Sequence, residues 1–250
     1  MSTPEEQATP TTAPEAATGL TWHKLAAWAA WAIPVVFILL MVVHMEFLPF
    51  FIPFIVVFGG LGWWVSRGGR WSGIVLAVLA VVFIAMNAPF VIPTLAVPAS
   101  PIDFISTVWI LLAAITAVVA GIMAFRSSAS SSGARAWQRV VAGFAVVVVI
   151  VSVVAMATYD DAAQQEGDLE LTAADIEFKE ESLDADSGTV AVFITNEDRT
   201  YHTFTIDELD VHVDIPQGAM ARVEFDAEAG EYEFYCVPHE ADMKGTLTVQ

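Results

Sequence analysis

Two rhythms of apolar and polar positions divide this chain. Over residues 25–158 apolar side chains run almost without a break, whereas beyond Asp160 they alternate with polar ones at every second position. Unbroken apolar runs of about 20 residues have the length that crosses the hydrocarbon core of a bilayer as a helix. Five segments qualify, 25–43, 47–65, 72–91, 104–125 and 140–158. Only His44-Met45-Glu46 separates the first two, but as one helix they would be about twice the length a bilayer needs, and Pro49 and Pro53 would interrupt it. In the last third, Val211, Val213 and Ile215 alternate with Asp210, His212 and Asp214, and Leu247 and Val249 with Thr246 and Thr248. That period of two marks half-buried strands. Turn signals at 184–188, 196–199, 216–218 and 228–230 cut the region into about seven or eight short strands, the pattern of a Greek-key sandwich. The predicted fold is therefore multi-domain: a disordered cytoplasmic tail over 1–22, an all-α transmembrane bundle of five helices over 23–159, a linker at 160–168 and an all-β sandwich over 169–250.

Charge sharpens the division. Of the formal −19, the part from Asp160 onward carries 24 acidic residues against only Lys179, Arg199, Arg222 and Lys244. Such a surface excludes nucleic acid as a partner and would steer a basic protein toward it. In the apolar half the basic residues fall in alternate loops: Lys24 before the first run, Arg67 and Arg70 after the second, and Arg126, Arg135 and Arg139 between the last two. The positive-inside rule then places the N-terminus in the cytoplasm and everything after Tyr159 outside the plasma membrane. Trp22, Trp63, Trp64, Trp71 and Trp137 lie near the same boundary, where interfacial aromatic residues collect. The first run reads as a retained helix, since no small-residue cleavage pattern follows His44. No predicted run carries an ionisable residue away from its ends; Asn87 is the strongest polar group inside one, and helix-to-helix hydrogen bonding is its expected role. His23 and His44 sit at opposite ends of the first run and cannot share a haem iron.

Chemistry concentrates near the C-terminus. The single cysteine stands in Tyr235-Cys236-Val237-Pro238-His239-Glu240-Ala241-Asp242-Met243, and His202 lies upstream. With no second cysteine there is no internal disulfide, and an unpaired thiol outside the cytoplasm has a reason to exist as a metal ligand. Two imidazoles, a thiolate and a thioether suit copper in both oxidation states. Zinc has no use for the thioether. Because successive strand side chains point to opposite faces, His202, Phe204 and Ile206 share one face, as do Tyr232, Phe234 and Cys236. Both ligand-bearing strands thus aim their ligands at the core, while His212, between Asp210 and Asp214, reads as a solvated strand residue. Too few histidines and cysteines remain for a multicopper oxidase or a dinuclear copper centre, so no enzyme is expected.

These residues also carry a resemblance. Asp175-Ile176-Glu177-Phe178, then Asn196-Glu197-Asp198 ahead of His202-Thr203-Phe204-Thr205-Ile206, then Gly230-Glu231-Tyr232-Glu233-Phe234-Tyr235-Cys236 and Met243-Lys244-Gly245-Thr246-Leu247 make residues 169–250 similar to the cupredoxins of the plastocyanin and azurin group. The resemblance implies one type 1 (blue) copper ion with His202, Cys236 and His239 as equatorial ligands and Met243 as axial ligand. It further implies one-electron transfer through the edge of His239, with a redox partner such as a basic cytochrome or a membrane oxidoreductase. A copper-handling role in storage, delivery or sensing is the alternative. The five apolar runs resemble no recognised family.

Overall fold

Helices occupy the apolar half because nothing in it offers the backbone another set of hydrogen-bond partners. In a computed structural model, which describes residues 19–44, 48–69, 71–126 and 132–250, they are α1 (Trp22–His44), α2 (Ile52–Ser66, entered through a 3₁₀ turn at Pro49–Phe51), α3 (Ser72–Thr94), α4 (Pro101–Arg126) and α5 (Ser132–Ala157). Residues 1–18 of the predicted tail, Met45 and Glu46 of the first predicted turn, and Arg70 lie outside the described residues. Thr21 opens α1 by accepting the Lys24 amide on its hydroxyl at 3.2 Å. Pro49 opens the 3₁₀ turn, and Pro53 stands in the first turn of α2, where a missing N–H costs nothing. All five spans are long and apolar enough to cross a membrane.

Small residues and phenylalanines hold the bundle together. Gly73 of α3 and Gly121 of α4 meet backbone to backbone, so that a methyl group on Gly73 would lie 2.6 Å from the Gly121 carbonyl oxygen. This is the close approach that small residues permit between apolar helices. Phe37, Phe51, Phe54, Phe58 and Phe83 stack and edge into one another between α1, α2 and α3. One expectation is corrected. Among the described residues Asn87 bonds within its own helix rather than to another: its amide donates to the Phe83 carbonyl one turn earlier, at 2.8 Å, a bond always within reach of a short polar side chain.

Beyond the helices, nine strands among the described residues form two sheets. They are β1 (Leu169–Ala174), β2 (Glu177–Phe178), β3 (Ser182–Ala185), β4 (Gly188–Asn196), β5 (His202–Ile206), β6 (Val211–Ile215), β7 (Met220–Ala227), β8 (Gly230–Tyr235) and β9 (Lys244–Val249). One sheet has the order β2-β1-β4-β7 and the other β3-β9-β8-β5-β6. The count exceeds the predicted seven or eight because a two-residue strand such as β2 has too few positions to show alternation. Leu171, Val192, Ile194, Phe204, Phe234 and Leu247 fill the space between the sheets, each essentially without exposed surface.

The segment between the two parts lies along the sandwich. Ala162 N–H donates to the Met220 carbonyl, and the Met220 amide donates back to the Asp161 carboxylate. At its end, both Asp168 oxygens accept from Arg222 Nε, at 2.9 and 3.0 Å. That pairing, helped by the Gln165 amide, holds the Asp168 carboxyl below the usual carboxylate range. A carboxyl depressed on folding stabilises the fold above its unfolded value of about 3.9, and the stabilisation is lost as pH falls through the lower folded value. Equilibrium unfolding measured at stepped pH below 4 should therefore show a steeper loss of stability in the wild-type chain than in Asp168→Asn. Equal slopes would remove the pair from that account.

Candidate metal centre

Hydrogen bonding by the backbone shapes the place where β5 begins and β8 ends. Cys236 follows β8, and its N–H donates to the Met243 carbonyl at 3.0 Å. Inside the loop so closed, the His239 amide donates to the Cys236 carbonyl and the Met243 amide to the His239 carbonyl. A 3₁₀ turn at Val237–His239 with Pro238 in its first positions stiffens the path. From the other side, Thr203 ties β5 to the loop: its N–H donates to Cys236 Sγ at 3.3 Å and its hydroxyl accepts the Val237 amide at 2.8 Å.

The result is a cluster of three donors. Cys236 Sγ stands 3.6 Å from His202 Nδ1 and 3.5 Å from His239 Nδ1, and the three ligand atoms lie within 4.8 Å of one another. Atoms that surround one first-row metal ion at about 2.0–2.3 Å and 120° apart are themselves roughly 3.5–4.0 Å apart. The spacing thus fits a trigonal plane. His202 and Cys236 are fully buried and His239 partly so. Met243 is fully buried at the end of the loop. His212 stands apart, with about half its side chain exposed as expected, although its Nδ1 also meets the Thr205 hydroxyl at 2.9 Å. Alternation understated one strand. Thr203 and Thr205, on the face of β5 opposite His202, are buried as well, because the ligand loop and β6 cover them.

Sequence reasoning also missed the support behind His202. Asp198 Oδ2 lies 2.9 Å from His202 Nε2, which leaves Nδ1 facing the thiol. The same carboxylate accepts the backbone amides of Asp175 and Ile176 at 2.9 and 3.0 Å. Those two residues adopt φ of 58° and 60°, a conformation a β-branched residue such as Ile176 takes only under constraint. Two consecutive amides in that geometry form a concavity for an anion. Burial alone would raise the Asp198 carboxyl, but the bonds from His202, Ile176 and Asp175 outweigh it and bring the value to about 2. The run Asn196-Glu197-Asp198 belongs to the resemblance, but an aspartate four residues before a histidine does not by itself say that it holds the ring.

Electrostatics at the donors favours a cation. Burial pushes the Cys236 thiol up to about 11, only partly offset by the Thr203 and His239 amides. Burial, with His202 and His44 nearby, takes His239 down to about 4, so its ring is neutral near pH 7 with a lone pair to offer. A metal ion supplies the charge that makes the buried thiolate stable. Two imidazoles and one thiolate, as a donor set, suit copper.

Comparison with known proteins bears on the fold of this region. Residues 144–249 match the family model described as a cupredoxin-like domain, the match beginning inside α5. Solved structures similar to the chain include a Cu(I) form of an amicyanin mutant, 18% identical, covering 37% of this chain and 90% of that one with a TM-score of 0.32. An oxidised amicyanin mutant is 17% identical over 37% of this chain and 90% of its own, with a TM-score of 0.31. No curated protein matches. The strands after the fifth helix, with His202, Cys236 and His239 grouped as a potential copper site, form a cupredoxin-like domain.

Proposed function

We propose that this chain is a membrane-anchored blue copper protein that carries single electrons on the outer side of the plasma membrane. The observation that carries the reading is the separation of 3.5 and 3.6 Å between Cys236 Sγ and the two histidine Nδ1 atoms inside a cupredoxin-like sandwich. His202, Cys236 and His239, together with Met243, would hold the copper ion, which would supply a one-electron couple. Copper held by such a set changes oxidation state with little movement of its ligands. For its part, the protein keeps the donors fixed before metal arrives. Asp198 holds the His202 ring, Thr203 anchors the thiol, and the closed loop carries His239. The five apolar helices would span the bilayer with the N-terminus in the cytoplasm. Exposed Glu240 and Asp242 beside His239 extend the acidic field to the point of electron exchange, which suits a basic partner such as a cytochrome or the basic face of a membrane oxidoreductase.

Copper titration of the full chain in detergent micelles, followed optically and by voltammetry, tests this. The expected result is one equivalent of copper, an intense blue thiolate-to-copper band and a reversible one-electron couple. Tight binding of cuprous copper with no blue species and no reversible couple would overturn electron carriage in favour of copper handling.

A further inference from the structure

The end of the sandwich that carries the donors is the end that rests on the helices. Three ties make the contact. Arg199 Nη1 donates to the Val43 carbonyl at 2.9 Å, at the C-terminal end of α1, where carbonyls lack helical partners and a cation is favoured. The Gln217 side chain accepts the Ile102 amide at 3.1 Å, and its backbone N–H donates to the Ser100 hydroxyl at 2.9 Å. Between these, Asp103 in the first turn of α4 accepts twice on Oδ2, from the Thr200 hydroxyl at 3.0 Å and from the Tyr201 N–H at 2.8 Å.

The last tie differs from the other two in where it leads. Tyr201 immediately precedes His202; it is buried, with only 4% of its surface exposed, and its side chain lies beside Thr94 at the end of α3. Helix α4 therefore holds the residue next to the first donor by its backbone. Asp198 holds the His202 ring on one side, and Thr203 holds the Cys236 sulfur on the other. The segment 198–203 thus has a fixed point at almost every residue; from outside the sandwich Val43 holds Arg199, and Asp103 holds Thr200 and Tyr201, the two residues that lead directly into His202.

We infer that the helical domain is a built-in docking partner of the copper-binding end, and that Asp103 is a positioning residue for His202, acting through Thr200 and Tyr201. This rests on the copper reading for its spectroscopic consequence but not for the docking itself. A donor held by an outer partner gives that partner leverage over the metal's affinity and potential. The five helices then do more than anchor: they set the geometry of the ligand strand.

The test compares Asp103→Ala, Asp103→Asn and Ser100→Ala in the full, copper-loaded chain in lipid nanodiscs, with hydrogen exchange measured on the same proteins without metal. Asp103→Ala should speed exchange of the Tyr201 amide about tenfold or more and should displace both the copper band and the reduction potential. Asp103→Asn, which keeps the shape and one acceptor oxygen, should shift both in the same direction by less, and it decides the matter if the alanine variant fails to fold. Ser100→Ala should loosen the Gln217 amide and leave the copper signals unchanged. Unchanged exchange at Tyr201 overturns the docking. Faster exchange with an unmoved band and potential overturns the positioning role. If the wild-type chain takes up no blue copper, the functional reading fails and the exchange data alone still decide the docking.

Discussion

Cys236→Ser should abolish the blue band expected of the copper site and leave the sandwich folded. The sulfur is fully buried and receives the Thr203 N–H at 3.3 Å. Alanine would leave that amide without an acceptor, at a cost of about 1–3 kcal/mol, and would confuse loss of fold with loss of metal. Serine keeps an acceptor in nearly the same place. What it removes is the soft, ionisable donor: a hydroxyl does not give up its proton near neutral pH, and copper(I) is selected by thiolates. Copper affinity should fall by more than the ~10–100-fold typical of losing an outer partner of a ligand, and any residual copper(II) complex should be pale. Optical titration beside far-ultraviolet circular dichroism reads both halves of the expectation. An intense blue band surviving in the serine variant would mean that Cys236 is not the donor.

Much of this architecture is visible in the pattern of apolar positions, and the parts that are not share a cause. The helical runs are legible because each is long and apolar enough by itself to cross a bilayer, without reference to the others. Two of the helices begin well before their apolar runs. Helix α4 starts at Pro101 rather than 104, and α5 at Ser132 rather than 140, since helical turns carrying Asp103, Arg135 or Arg139 do not look apolar. Period-two alternation placed His202, Phe204, Phe234 and Cys236 on the core side, because a strand's two faces are a local property. It could not show that β5 is covered on both faces, which depends on a loop thirty residues away in sequence folding over Thr203.

The three donors were legible for a similar reason. Each is a residue type with few other uses in a buried strand end, and together they name a chemistry. Their supports are ordinary residues made special by distant partners. Asp198 matters because Asp175 and Ile176 turn their amides toward it, and Asp103 because Tyr201 comes to rest above α4. No spacing rule connects positions 97 and 98 residues apart.

Asn196 is the plainest of these hidden supports, and its removal should cost the strand domain more stability than any other change to a surface loop. It ends β4 with 1% of its surface exposed. Its Nδ2 donates to three carbonyls, those of Thr200, Ile215 and Pro216, at 2.9, 3.0 and 2.9 Å. Its Oδ1 accepts the Asp198 amide at 2.9 Å. One side chain thus joins the end of β4, the loop that leads to His202 and the turn after β6. Asn196→Ala takes this donor from the buried Ile215 carbonyl and leaves the Pro216 carbonyl with the Ala219 amide alone, at about 1–3 kcal/mol for a group that water cannot reach. A total of about 3 kcal/mol, roughly a hundredfold in the opening equilibrium, is the expected result. Hydrogen exchange of the β4, β5 and β6 amides in the full chain measures it without requiring a single unfolding transition across two domains. Asn196→Asp sharpens the argument: it keeps size and the Asp198 contact but turns a carboxylate toward three carbonyl oxygens, so it should open the loop at least as much as alanine does. Wild-type exchange rates in both variants would mean that the corner is held by its backbone, through the Asn196 N–H to Ala219 carbonyl bond of 2.9 Å, and that the side chain is incidental.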